Sequence, residues 1–234
     1  MISTQPSRGL QLRRAASRYD WSDVRALRFA ALAERGDLGP QARGEYGDEY
    51  DSALNSCVFV LAGGGEPLGS TRTSVSSPER RWALPAADAF AGPVAALGDE
   101  ATLVEASLTV IDPRAPMDAK AALFHLFKAH MLQCALENAD WLVAAVRDSQ
   151  IGFYRRVFNM EILSGAEAYG GLASPRVLMG LDFRAHAALL FKRIPVLAVS
   201  EDDERNFTDT GTVGFGPARR NGSARRAPYL VAGD

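Results

Sequence analysis

The chain has 234 residues, 47% of them apolar, and a formal net charge of −2 at pH 7, enough for one sizeable core and too neutral to call for nucleic acid or an anionic membrane. No apolar run approaches the ~20 residues of an integral membrane segment, and MISTQPSRGLQLRRA holds no apolar signal core. Cys57 and Cys134 fall inside predicted elements and read as reduced thiols, so a cytoplasmic protein is expected.

Residues 1–8 are expected to be disordered. GLQLRRAAS (9–17) reads as a first strand with Leu10 and Leu12 on one face. Asp20 is a good N-cap for a helix to about Arg35, with Val24, Leu27 and Ala31 as its apolar stripe and Gly36 as its stop. Arg28 follows Val24 by four residues, at the edge of that stripe; it either snorkels beside the core or points into a site. The loop GDLGPQARGEYGDEYD (36–51) is too long for a simple connector. Its Asp48, Glu49 and Asp51 form either a solvated turn or a carboxylate cluster able to hold an amine.

SCVFVLAGGGEPLGSTRTSV (56–75) reads as a hairpin, and no helix follows its Gly run to make a phosphate loop. On the second strand Arg72 alternates with Thr71 and Thr73. Residues 76–102 are expected to be irregular, with Trp82, Leu84 and Phe90 either packed or acting as a flap over an apolar ligand. The centre of the chain, Leu103 to Gly165, reads as strand, helix, strand, helix, strand: LVEASLTV, AKAALFHLFKAHMLQCALENA, DWLVAAV, DSQIGFYRRVF with Asp148 or Ser149 as N-cap, and NMEILSG. Two strands flanking a helical crossover should lie parallel. A further strand is expected at 176–183 and a short helix at 184–194. From about Asp203 the chain turns polar, and 203–234, with Arg219, Arg220, Arg225 and Arg226, reads as a solvated tail.

The chemical inventory removes several classes. His125 and His130 are five apart on one helix and diverge, so they make a poor metal pair, and no metal site is expected. No GxSxG, CxxC, GxGxxG or GxxxxGKS occurs, which weakens the classical hydrolase, zinc, dinucleotide and P-loop readings.

LVEASLTVIDP, a long helix, WLVAAV and IGFYRRVFNMEILSG together resemble the second half of the Gcn5-related N-acetyltransferase (GNAT) fold, a mixed central β-sheet flanked by helices. LRFAAL (27–32), DEYD (48–51), GSTRT (69–73) and VEAS (104–107) follow the order seen in acyl-homoserine-lactone (autoinducer) synthases and the related N-acyl amino acid synthases. The stretch from FYRRVF through AYGGLASPRVLMGLDF is similar to the latter. Two departures refine the resemblance. Where acetyltransferases hold the CoA diphosphate on a Gly-containing loop, this chain has DPRAPMDAKA (112–121), with two prolines and no glycine. Lactone synthases typically place Arg three residues after their Glu, whereas Leu108 follows Glu105 here.

The resemblance implies an acyltransferase domain over residues 9–202 that moves a long-chain acyl group from acyl carrier protein, or acyl-CoA, to the amine of an amino acid, with no bound cofactor. Acyl-homoserine-lactone synthesis and a non-catalytic acyl- or carrier-binding protein are the alternatives. It implies Glu105 as general base and Tyr154 as the acid for the leaving thiol. Oxyanion donors are expected on the backbone at Leu108, Thr109 and Val110. Arg28, Asp48, Asp51, Arg72 and Ser107 would bind the acceptor or brace one another, and Arg114 and Lys120 would meet the carrier protein.

Overall fold

The computed structural model describes residues 9–39 and 42–215. In chain order these form β1 (Leu10–Arg14), α1 (Arg18–Glu34), β2 (Ser56–Gly63), β3 (Glu66–Ser76), α2 (Pro85–Ala95), β4 (Leu103–Ile111), α3 (Ala119–Leu136), β5 (Trp141–Val146), α4 (Ile151–Phe158), β6 (Glu161–Glu167), β7 (Arg176–Asp182), α5 (Phe183–Arg193), α6 (Glu201–Thr210) and β8 (Thr212–Gly214). The strands make one mixed sheet in the order β6-β7-β5-β4-β3-β2-β1-β8. Only β4 and β5 run parallel, as the crossover through α3 requires. Helices cover both faces, which is the expected α/β architecture.

α3 packs on one face of the sheet and α1 and α2 on the other. α3 is long because it has no Gly or Pro and is buried along most of its length. Its Phe127 and Met131 pack with Val104 and Ala106 of β4 and with Tyr154 and Phe158 of α4. Phe127 packs against Phe158 with ring centroids 4.3 Å apart, so these side chains are core. On the other face Leu27, Ala31 and Leu32 of α1 meet Val110.

Several boundaries differ from expectation. Ser17, not Asp20, caps α1; Asp20 is the reciprocal acid of a capping box. Neither Asp148 nor Ser149 caps α4, because residues 148–150 form a 3₁₀ turn first. The stretch expected to be irregular contains α2, opened by Pro85 in the first turn and kinked at Phe90, three residues before Pro93. Leu84 and Phe90 are buried within it. The expected tail begins inside α6, whose Phe207 stacks on Phe59 of β2, and β8 then pairs with β1. The domain therefore continues past 202 to at least 215. The expectations for 1–8 and for the arginines at 219, 220, 225 and 226 lie outside the described residues. Cys57 and Cys134 are both free thiols.

The register between β3 and β4 slips between Ser70 and Arg72. There β4 carries an extra residue, and Leu108 adopts a left-handed φ of 49°. Opposite this bulge, a Cβ added to Gly69 would lie 2.8 Å from the Val110 carbonyl oxygen and 2.9 Å from Leu126 Cδ1. Gly69→Ala should therefore cost about 1–3 kcal/mol. Urea denaturation should show a lowered midpoint with an unchanged m-value.

Candidate active site

β4 organises the site. Glu105 and Ser107 point to the α1/α2 face and Val104 and Ala106 to the α3 face, as strand alternation requires. The bulge at Leu108 then reverses the alternation. Leu108 joins Val110 on the α1 side, and Thr109 turns to the α3 face, where its hydroxyl lies 2.6 Å from that of Thr71. Beyond Ala106, paired with Ala144, β4 has no further partner on β5. The strands open there, and the edge of Ser107–Val110 lines a crevice of ≈ 60 Å³.

Glu105 is fully buried and has two donors. The Ala86 N–H reaches Oε2 at 2.7 Å and the Tyr169 hydroxyl reaches Oε1 at 2.6 Å. Ala86 is in the first turn of α2, so the carboxylate caps a helix whose own cap residue, Leu84, cannot. Burial pushes the Glu105 carboxyl up to about 7, against the pull of these two donors and of Arg72. Burial and the neighbouring carboxylate raise the Tyr169 hydroxyl well above its ordinary value. Tyr169 sits in the β6–β7 loop and lines the crevice, which Glu105 does not. It is thus the contact between the buried carboxylate and the open strand edge.

Arg28, Asp48, Asp51, Arg72 and Ser107 come together as one buried network. Arg28 Nη1 donates to both oxygens of Asp51, at 2.8 and 2.7 Å. Arg72 donates to both oxygens of Asp48, to Asp51 at 3.0 Å and to Ser107 Oγ at 3.0 Å. Arg72 is held by Asp48, Asp51 and Ser107, whereas Arg28 Nε and Nη2 are buried with no hydrogen-bond partner among the described residues. Burial lowers the Arg28 pKa despite Asp51; burial also opposes the charge on Arg72, but Asp48 and Asp51 outweigh it and raise that pKa. The 36–51 loop is thereby tied to α1 and β3. Its Tyr50 hydroxyl reaches Asp88 of α2 at 2.6 Å, and its Tyr46 hydroxyl reaches the Gly170 carbonyl at 2.8 Å. The loop therefore clasps both segments that donate to Glu105.

Tyr154 of α4 lines the same crevice as Leu108–Val110, while its ring packs edge-on against Phe127. Burial raises its hydroxyl pKa. Arg114 and Lys120 are exposed near the start of α3, with Arg114 bonded to Asp112 at 3.1 Å. The first N–H groups of α3 are taken by Asp118, at 2.7 and 3.1 Å. With Asp112 and Asp118 beside it, this end of α3 is poorly suited to a diphosphate. A larger cavity, ≈ 540 Å³, lies away from the carboxylates, between β2, β3, α3 and α6. No group of metal-ligating side chains occurs among the described residues.

Sequence reasoning missed Tyr169 and Ala86. Pro85 was the available signal for Ala86, as a residue favoured at the first helical position. Tyr169 lies in a Gly-flanked loop whose position depends on the pairing of β6 with β7, which no local pattern encodes.

A family model for the N-acyl amino acid synthase FeeM matches residues 23–182, more than half of the chain. Among solved structures, the chain is similar to FeeM, an N-acyl amino acid synthase from uncultured soil microbes, at 17% identity, covering 80% of this chain and 98% of that one, with a TM-score of 0.61. It is also similar to the acyl-homoserine-lactone synthase LasI (13%, 73% and 87%, 0.55). BjaI, a CoA-dependent acyl-homoserine lactone synthase solved with SAM and isopentyl-CoA, is a third (17%, 80% and 90%, 0.54). At these identities the likeness establishes the fold. No curated sequence matches.

Removing one partner of a buried ion pair strands the other. Arg28→Met should destabilise the protein by about 3–5 kcal/mol. The double variant Arg28→Met/Asp51→Asn should lose less than the sum of its single variants. Chemical denaturation of the four proteins checks this.

Proposed function

The chain belongs to the N-acyl amino acid synthase FeeM family, and on that premise we propose that it transfers a long-chain acyl group from acyl carrier protein to the amine of an amino acid. That it is an N-acyltransferase follows from the family and the fold. The carrier-protein donor and the amino acid acceptor are our reading. The observation that carries it is Glu105: a buried carboxyl poised near neutrality and linked through Tyr169 to a strand edge that has lost its partner.

The chemistry follows from these groups. The thioester lies along the open edge of β4 with its carbonyl oxygen towards the backbone N–H groups of Leu108–Val110. The acceptor ammonium loses one proton to Tyr169 as the Tyr169 hydroxyl proton passes to Glu105, which gives a neutral amine. The amine lone pair attacks the carbonyl carbon, and the C=O π pair moves onto oxygen. The oxyanion then collapses and the C–S bond breaks. The sulfur takes the Tyr154 hydroxyl proton, and Tyr154 recovers one from the new amide nitrogen. The products are an amide, a free thiol and one proton left on Glu105.

Two features support a carrier-protein donor. The start of α3 is capped by its own carboxylate, and it is flanked by prolines without N–H donors, so a CoA diphosphate finds no cradle there. A phosphopantetheine arm carries a single phosphate and needs less. Arg114 and Lys120 stand exposed beside that entry, where acidic residues of a carrier could meet them. Leu108, where lactone synthases typically carry Arg, turns the reading away from a lactone product.

Purified protein, acyl carrier thioesters and a panel of the common amino acids, analysed by mass spectrometry, test the reaction. N-acyl amino acids and free carrier thiol are expected; lactones, or no product, would refute it. Glu105→Gln should lower kcat/KM by about 10²–10⁴-fold, and Tyr169→Phe should lower it as well. In the wild type, turnover should rise with pH through about 7 as Glu105 ionises. Stability should move the opposite way. The folded-state carboxyl pKa is raised, so the stabilising term is present below about 4.5 and lost as pH climbs through about 7. Glu105→Gln should therefore melt higher than wild type at pH 8 and nearly level with it at pH 4.5.

A further inference from the structure

The crevice has a second wall that the proposed chemistry leaves unused. Asp37, just beyond α1, is buried and lines it together with Arg35, Arg147 and Arg176. Arg176 is fully engaged. Its Nη1 donates to the carbonyls of Ser174 and Pro175, at 2.6 and 3.3 Å, and its Nη2 lies 3.1 Å from Asp37 Oδ2. That contact fixes Asp37 and leaves Oδ1 buried without a hydrogen-bond partner among the described residues. Arg147 is held only loosely, 3.6 Å from Asp37 Oδ2 and 3.4 Å from the Arg35 carbonyl. The Arg35 side chain makes no hydrogen bond or ion pair among the described residues. The wall thus offers two underused guanidiniums and, beside them, one unpartnered carboxylate oxygen.

We propose that this wall is the acceptor subsite: Arg35 and Arg147 clamp the carboxylate of an α-amino acid, and Asp37 Oδ1 receives its amine. The inference rests on the function proposed above and assigns the residues that select its acceptor. A planar carboxylate matches the guanidinium fork. A buried acceptor oxygen without a donor is costly and is satisfied by an ammonium. The zwitterion meets both demands, whereas a phosphate dianion would meet the arginines and be repelled by Asp37. The same crevice is lined by Leu108–Val110 and Tyr169, so an amine held by Asp37 shares it with the proposed base relay and oxyanion donors.

The selectivity between an amino acid and the amine it becomes on decarboxylation tests the assignment. The probe pairs are leucine with isopentylamine, phenylalanine with 2-phenylethylamine, and glycine with methylamine. Wild type should favour the amino acid by on the order of 10²-fold in kcat/KM. That is below the 10⁴–10⁵ of enclosed polar sites, because Arg35 is exposed. Arg35→Met and Arg147→Met should each shrink that ratio through a raised amino acid KM, and Arg147→Lys should retain part of it. Arg35→Met breaks no side-chain hydrogen bond or ion pair among the described residues, which keeps the test open if Arg147→Met folds poorly.

Equal use of amines and amino acids by wild type would overturn the assignment and leave the acyltransferase reading standing. So would variants that raise only the donor's KM, which would make the wall a phosphate site. If no amine is acylated, the function reading falls and calorimetry decides this one. Binding of the amino acids but not the amines, weakened in Arg35→Met, would uphold the assignment; no binding to wild type would overturn it.

Discussion

A carboxylate buried on β4 with only two donors is the constraint on which the rest of the site depends. Glu105 has no surface exposure and, among the described residues, no ion pair, so its charge rests on one helix N–H and one phenol. Burial outweighs those two donors and Arg72, and the net effect takes the carboxyl from 4.5 to about 7. A strand glutamate gains nothing for stability from such a position. It makes sense as a group kept ready to change its protonation near neutral pH. α2 and the β6–β7 loop both converge on it, and the acid-rich loop between α1 and β2 holds each in place through Tyr50 and Tyr46.

Two charge clusters flank that carboxylate and differ in kind. Arg28, Asp51, Arg72 and Asp48 face inward and pair with one another, with only Arg28 Nε and Nη2 of that cluster left without a partner among the described residues. Such a cluster fixes the register of loop, helix and strand better than it stabilises them, since desolvation offsets most of its Coulomb gain. Asp37, Arg35 and Arg147 face the crevice and are only partly paired. Between the clusters, the bulge at Leu108 divides β4 into a buried half that carries the base and an open half that offers backbone. The left-handed φ of a leucine is unfavourable by about 1–2 kcal/mol, and it is spent where the strand must change faces.

Much of this was legible in the sequence, and the reasons are local. The β4–α3–β5 crossover shows in β-branched runs either side of a long helix without glycine, and its parallel pairing follows from topology alone. Arg28, Arg72, Asp48 and Asp51 stand out in the sequence as charged residues and meet in one ion-pair network, and strand alternation separates Arg72 from Thr71. What failed was non-local. The 76–102 stretch holds α2 despite two internal breakers, because its apolar residues pack under the sheet and its Ala86 N–H is bonded by Glu105 of β4. Residues 203–214 read as tail because the stretch is polar, and only the packing of Phe207 on Phe59 and the pairing of β8 with β1 reveal that it belongs to the domain. Tyr169, Asp37 and Arg147 come from three loops far apart in the chain. Only the length of the 36–51 loop, which holds Asp37, marks any of their neighbourhoods.

The central claim is that Glu105 ionises near neutrality while bonded to Tyr169. The direct measurement is a carboxyl titration by carbon NMR on protein labelled at glutamate, with Glu105→Gln to assign the signal and Tyr169→Phe to perturb it. A midpoint near 7 is predicted, moving upward when the Tyr169 hydroxyl is removed, because that donor favours the charged form. A midpoint in the ordinary carboxylate range near 4.5, unmoved by Tyr169→Phe, would contradict the account and leave Glu105 a structural residue.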